Sequence, residues 1–132
     1  MEAATTGQVR TRAGERCEYC RIHQRHYLLT FHIEHIVARQ HGGSDDAANL
    51  ALACHFCNRQ KGPNLAGLDP DTGRLTRLFH PRTDVWSTHF QSDAGHIRGQ
   101  TPVGRTTGRV LNMNQPERVR LRITLEPETF GG

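Results

Sequence analysis

Two pairs of cysteines are the clearest chemical feature of this sequence. Cys17 pairs with Cys20 and Cys54 with Cys57, with two residues between the members of each pair and no cysteine left over. A Cys-x2-Cys turn presents two sulfurs to one ion, and two such turns complete a tetrahedral site. Because thiolates are soft ligands and a structural site needs no redox chemistry, we predict a structural Zn²⁺ ion. Buried free cysteines or an oxidised pair are the alternatives.

A second group of side chains lies between and beside these pairs. Glu34 and His35 are adjacent, and Asn58 directly follows the second pair. A neutral imidazole can take a proton from water near pH 7, and carboxylate and amide oxygens are ligands for hard ions such as Mg²⁺ or Mn²⁺. Phosphodiester hydrolysis needs both a deprotonated water and a cation at the phosphate. We therefore expect Glu34 and Asn58 to hold a catalytic ion and His35 to act as general base.

Local patterns predict which elements position these residues. The apolar and β-branched run predicts a strand around residues 30–36, and the alternation at Leu50 and Leu52 predicts a second strand or extended segment over 49–54. A helix is expected from Phe56 to Lys61, ended by the Gly-Pro pair that follows. In a regular strand, neighbouring side chains point to opposite faces, so Glu34 and the next residue can share a site only where the strand ends or bulges.

Strict alternation along the first strand has a second consequence. It places His32 on the same face as Glu34. His32 is therefore a candidate extra ligand or a hydrogen-bond partner of the ligands, although packing is the more ordinary role for such a histidine.

The ordered motifs resemble the HNH endonuclease family over roughly residues 14–64. The matching segments are Glu34-His35-Ile36, Gly42-Gly43, Asn49-Leu50 and Cys54-His-Phe-Cys57-Asn58-Arg-Gln-Lys61-Gly62. The resemblance implies a β-hairpin and a helix around one divalent ion (a ββα-metal core) with a four-cysteine zinc site. A weaker similarity over residues 101–114 is to the tail of a stand-alone bacterial subgroup.

The resemblance also implies an activity, which is metal-dependent hydrolysis of DNA phosphodiester bonds. The catalytic set would be His35, Asn49 and Asn58. Asn49 matches the middle asparagine of the family, and we expect its amide to bond backbone across the loop and to fix the imidazole. Candidate contacts to nucleic acid, which could equally be exposed surface cations, are Arg39, Arg59 and Lys61.

Composition agrees with a nucleic-acid partner without proving one. The chain of 132 residues has 17 basic and 13 acidic side chains, a formal charge of +4, and its only lysine is Lys61. Arginine pairs bidentately with phosphate, so either a polyanionic partner or a solvated surface would explain this balance. No apolar run approaches the roughly 20 residues of a membrane span, and the start has no signal-peptide pattern. Cysteines in metal-ligand pairs fit a reducing, cytoplasmic setting.

The chain divides by pattern into three parts, an N-terminal arm (1–16) with a short helix at most, the HNH module (17–64) and an extension (65–132) expected to pack on the module. The fold class is α+β, with a mostly helical extension. Thr101 and Pro102 have the residue types of a helix start, and Asn114 could cap a second helix. The apolar residues after it alternate, so that segment could also be a strand; they are Val119, Leu121, Ile123 and Leu125.

Two other functions fit the same residues. One is a zinc-binding nucleic-acid-binding module without turnover, since a basic surface and a zinc clamp need no catalytic ion. The other is a partner-recruitment domain with residues 65–132 as its docking surface. No base-reading element is visible, so we expect weak or structural specificity.

Overall fold

The computed structural model describes residues 2–130, and these form two compact units. Of the described residues, the first unit contains 2–63 together with His80–Thr83, and the second contains Asn64–Phe79 and 84–130. Both units combine short helices with antiparallel hairpins, so the predicted α+β class is confirmed. No helix in the described part of the chain is long and apolar enough to cross a membrane.

The first unit is built around one hairpin and one helix. Three short 3-10 turns connect its longer elements, at Gln24–His26, Arg39–His41 and Ala47–Asn49. The longer elements are α1 (Ala3–Arg12), β1 (His32–His35), β2 (Leu50–Ala53) and α2 (His55–Lys61).

Strand β1 pairs antiparallel with β2, with Glu34 opposite Ala51 and His35 opposite Leu50. All four residues of β2 are buried, so its alternating sequence does not leave one face in solvent. Helix α2 begins directly after β2, where the Cys54 sulfur accepts a hydrogen bond from the Cys57 amide. It ends at Gly62, which has a positive φ of 50°. This order places the end of β1 beside one face of α2, which is the ββα arrangement that the family resemblance implies.

Helix α1 occupies most of the segment that we expected to be an arm. Its ten residues include Val9, which is fully buried. Arg10 donates to the Phe31 carbonyl at 3.1 Å, and Arg12 donates to the Leu50 carbonyl at 2.7 Å. The helix is therefore held in the first unit by arginine-to-backbone bonds and one buried valine.

The second unit contains two hairpins and four helices within the described residues. Its helices hold more residues than its strands, and Phe90 and Ile97 are buried in its core. The elements are β3 (Ala66–Leu68), β4 (Leu75–Arg77), α3 (Trp86–His89), β5 (Phe90–Asp93), β6 (His96–Gly99), α4 (Pro102–Val110), α5 (Pro116–Leu125) and α6 (Pro127–Phe130).

The start of α4 confirms the sequence signal there. The Thr101 hydroxyl accepts a hydrogen bond from the Gly104 amide at 3.0 Å, and Pro102 occupies the first turn. Asn114 does not cap α5, because its amide bonds both backbone groups of Ile97. The N-cap of α5 is Gln115.

The segment after Gln115 is a helix rather than a strand. Its buried face contains Arg118 and Arg122, whose guanidinium groups donate to backbone carbonyls of residues 95 and 111–113. Three of these carbonyls lie in the turn that follows α4, so the arginines tie α5 to that turn. Leu121 and Ile123 remain 37% and 40% exposed, so the apolar alternation does not mark the packed face.

Candidate active site

The four cysteines form one buried cluster. Their sulfur atoms all lie within 4.8 Å of one another, and Cys20 Sγ is 3.7 Å from Cys54 Sγ. Four thiolates about 2.3 Å from a tetrahedral Zn²⁺ ion are about 3.8 Å apart, so the cluster has the dimensions of a zinc site. The Cys20 amide donates to Cys17 Sγ, and the Cys57 amide donates to Cys54 Sγ.

The cluster fits a cation in its electrostatics as well. Burial raises the pKa of the Cys17 and Cys57 thiols well above their ordinary value. Without a cation the buried thiols are therefore neutral, whereas a divalent ion would favour the thiolate forms. The chemistry it would supply is structural, joining the first cysteine turn to the junction of β2 and α2. Glu18 also joins them, since its carboxylate accepts from the Leu52 amide at 2.8 Å.

A separate pocket of about 410 Å³ lies at the end of β1. Glu34, His35 and Asn58 all line it, together with Arg39. Strand β1 ends at His35, so strict alternation does not continue past the site. The three residues that the sequence singled out for hydrolysis therefore share one pocket.

Glu34 is buried in this pocket against a lysine. Its side chain is 6% exposed, and Oε1 lies 2.6 Å from Nζ of Lys61, which is 2% exposed. Lys61 also donates to the Ile36 carbonyl at 2.9 Å. Burial raises the pKa of the Glu34 carboxyl, while Lys61 and then the nearby Tyr19 hydroxyl act in the opposite direction. Lys61 is thus not on an exposed helix face, and the expectation that its ammonium contacts flanking phosphates is corrected.

His35 is held by a residue that the sequence did not single out. Its Nε2 lies 2.7 Å from Oδ1 of Asp45, and Arg39 donates to the same oxygen from Nε and Nη2 at 3.1 and 2.9 Å. The bond with His35 and then those with Arg39 lower the pKa of the Asp45 carboxyl. Because an ionised carboxylate only accepts, the imidazole donates through Nε2 and its Nδ1 can be the acceptor.

Asn49 braces the loop that carries Asp45. Its amide oxygen accepts from the Val37 amide at 2.9 Å, and its amide nitrogen donates to the carbonyls of Val37 and Ser44 at 3.0 and 2.8 Å. The loop also needs glycine at position 43, since a Cβ there would meet the Val37 carbonyl oxygen at 1.7 Å. The backbone bonding expected of Asn49 is present, and it reaches the imidazole only through the loop.

The other candidate site residues, Asn58, Arg59 and His32, differ in burial and in whether they line the pocket. Asn58 is half-buried, and its side chain has no hydrogen-bond partner within residues 2–130. Arg59 is exposed, with its guanidinium 5.9 Å from the centre of the Phe56 ring. His32 does not reach the pocket. It is exposed, and its Nε2 lies 2.9 Å from Nδ1 of His55.

The oxygen ligands in this pocket are of the types that bind a hard divalent ion. Glu34 and Asn58 offer a carboxylate and a free amide oxygen at one pocket, although Lys61 already occupies one oxygen of the carboxylate.

The sequence signal that could have found Asp45 was the Gly42-Gly43 pair, which lets the loop turn back toward β1. Gly42 has a positive φ of 91°, and residue 43 tolerates no side chain.

Comparisons with known proteins agree with this geometry at the level of the family. No curated protein and no solved structure matched the chain. A model of the family described as HNH endonuclease matches residues 17–64, about a third of the chain. The cysteine cluster and the shared pocket both lie within these residues. Residues 17–64 therefore match the HNH endonuclease family, which generally consists of endonucleases and acts on nucleic acids.

Proposed function

We propose that this protein is a metal-dependent endonuclease that hydrolyses DNA phosphodiester bonds at the Glu34 pocket. The observation that carries the proposal is the convergence of Glu34, His35 and Asn58 on one pocket. Glu34 and Asn58 would hold a Mg²⁺ or Mn²⁺ ion, which would neutralise charge on the phosphate. Zinc would remain structural, in a reducing, cytoplasmic setting, and residues 65–132 would form an extension of the nuclease module.

His35 would act as the general base. When Nε2 donates to Asp45, Nδ1 of the neutral imidazole carries the lone pair that can take a proton from water. The resulting hydroxide attacks phosphorus, the opposite P–O bond breaks, and the leaving oxygen takes a proton from solvent. Asp45 and Arg39 orient the imidazole, and Asn49 holds the loop on which Asp45 lies. Arg59 is the exposed cation of α2 that remains a candidate for phosphate contact.

Cleavage of a supercoiled plasmid in the presence of Mg²⁺ or Mn²⁺ tests this proposal. We expect nicked and linear products with the wild-type protein and loss of cleavage in His35→Ala. His41→Ala is the matched control, because His41 is exposed and does not line the pocket. An unchanged rate in His35→Ala would remove this imidazole from the mechanism.

One observation favours a second function, a zinc-binding nucleic-acid module without turnover. Lys61 already neutralises the carboxylate that would hold the catalytic ion, at 2.6 Å. A carboxylate in a buried ion pair attracts a second cation less strongly than a free one. Binding of duplex DNA that needs no Mg²⁺ or Mn²⁺, together with no cleavage under either ion, would support this function over the nuclease.

A further inference from the structure

The second unit contains a basic pocket that lies outside the HNH domain. It has a volume of about 510 Å³ and is lined by residues of β6, α4 and the turn after α4, together with Pro70. Three of the lining residues are Arg98, Arg105 and Arg109, and none of the lining residues is acidic. Arg98 and Arg105 are each paired with carboxylates, so the guanidinium that offers uncompensated positive charge to an entering anion is that of Arg109.

The three arginines differ in how much hydrogen-bonding capacity they have left. Arg105 donates to the buried Asp69 through Nε at 3.0 Å and Nη2 at 2.9 Å, and its Nε also lies 3.1 Å from Oδ2 of Asp71. Arg98 donates only its Nε to Asp93, at 2.6 Å. Arg109 is exposed and has no hydrogen-bond or ion-pair partner within the described residues. Arg105 is therefore a fixed part of the wall, whereas Arg98 and Arg109 have donors to offer.

Gly108 leaves room for a ligand at this pocket. It lies inside α4, where glycine is about 1 kcal/mol less favourable than alanine. Gly99 and Gly104 have a packing reason, because a Cβ at either would meet backbone atoms closer than 2.5 Å. A Cβ at Gly108 would meet nothing within 4 Å, so packing within the protein does not require glycine there. Gly108 leaves the helix backbone open to a group that enters the pocket.

We propose that this pocket binds a backbone phosphate of nucleic acid, with Arg98 and Arg109 as donors and the open space beside Gly108 as the place for the phosphate. Guanidinium forks match phosphate oxygens, and the arginine-rich balance of the chain fits the same partner. The nature of the ligand rests on the proposed action on DNA. The site would add a second anchoring point that positions the strand without reading bases.

Binding of a fluorescent duplex, measured by anisotropy over a range of salt concentrations, tests the proposal. The zinc-loaded protein of 132 residues is used without Mg²⁺ or Mn²⁺, so the result does not depend on cleavage. We expect Arg109→Gln to weaken binding about tenfold and to lower the slope of log K against log salt by about 0.9. Arg120→Gln is the matched control, since Arg120 is exposed in the same unit and does not line this pocket. Its slope should remain that of the wild type.

A second variant tests the open space of the pocket without changing its charge. Gly108→Leu changes no charge and places its side chain in open space on a helix, so the melting temperature should not fall while DNA binding weakens. Inorganic phosphate, titrated by amide NMR, distinguishes a free-phosphate site from a nucleic-acid site. Wild-type duplex affinity in both Arg109→Gln and Gly108→Leu would overturn the proposal, even if phosphate alone shifted the amide signals of α4. Failure of the nuclease proposal would instead appear as intact pocket binding without cleavage.

Discussion

Replacing Lys61 with methionine should destabilise the first unit more than any surface change. Methionine keeps much of the length of the lysine side chain but removes the ammonium that lies 2.6 Å from Glu34 Oε1 and 2.9 Å from the Ile36 carbonyl. Lys61 and Glu34 are 2% and 6% exposed, so water cannot replace the missing partner without structural change. The variant therefore leaves one carboxylate and one carbonyl buried without their cation.

The expected size of the effect follows from this burial. Removing one member of a buried ion pair lowers the free energy of unfolding by about 3–5 kcal/mol, because the remaining charge is uncompensated. That is a large part of the total stability of about 5–15 kcal/mol typical of small proteins. The double variant Glu34→Gln with Lys61→Met removes both charges, so it should be clearly more stable than the single variant.

The pH dependence has a definite sign. Burial already raises the pKa of Glu34, and loss of Lys61 removes the main influence that lowers it. A carboxyl whose pKa is raised on folding favours the folded state at low pH, and this contribution is lost as pH rises through the folded pKa. Besides Lys61, the groups facing Glu34 are Tyr19 and His35. The destabilisation of Lys61→Met should therefore be greatest at neutral pH and shrink under mildly acidic conditions.

Urea unfolding of the zinc-loaded protein, followed by far-UV circular dichroism, measures these differences. The wild type, the two single variants and the double variant form a double-mutant cycle that isolates the pair. Mn²⁺ gives a readout independent of cleavage, since an ion that binds only the folded state raises its stability. Mn²⁺ should stabilise Lys61→Met more than the wild type. Equal stability of wild type and Lys61→Met at neutral pH would refute the buried-pair reasoning.

Three further changes test other parts of the site. Removing zinc with a chelator, or changing Cys54 to serine, should abolish cooperative unfolding of the first unit; a retained far-UV signal and melting transition would argue against a structural zinc. Asp45→Asn should lower the cleavage rate about tenfold with little loss of DNA binding, and an unaltered rate would show that Asp45 does not orient the imidazole. Gly43→Ala should destabilise the protein by more than about 1 kcal/mol, because its Cβ would overlap a backbone carbonyl. Gly7→Ala is its control, since a Cβ there meets nothing.

The cysteine cluster and the hairpin-helix core could be predicted because their signals are local. Two residues between sulfurs fix a turn, and the β-branched run before His35 favours a strand whatever surrounds it. The sequence of α5 fitted either a helix or a strand, because its alternating apolar residues do not form the buried face. Arg118 and Arg122 fill its buried face, and their role depends on carbonyls elsewhere in the second unit.

Asp45 and Lys61 show what spacing alone leaves out. Asp45 reaches His35 across ten residues because of a loop conformation that depends on Gly43 and on the bonds of Asn49. Lysine is almost never fully buried without a partner, so an exposed Lys61 was the natural expectation. Its partner, Glu34, is on another element, and pairing between elements is a property of the folded chain rather than of either segment.

The buried pair also sets the charge of the candidate site before any ion binds. Glu34 and Lys61 cancel, so a divalent ion held by Glu34 and Asn58 would leave two uncompensated positive charges at the pocket. A phosphodiester carries one negative charge, and a strand that crosses the pocket brings more than one phosphate close to it. The ion and the strand should then each strengthen the binding of the other, since coupling between two ligands is reciprocal. On this reasoning Lys61 disfavours binding of an ion when no DNA is present. If the ion bound equally well with and without DNA, Lys61 would not be competing with it for the Glu34 carboxylate.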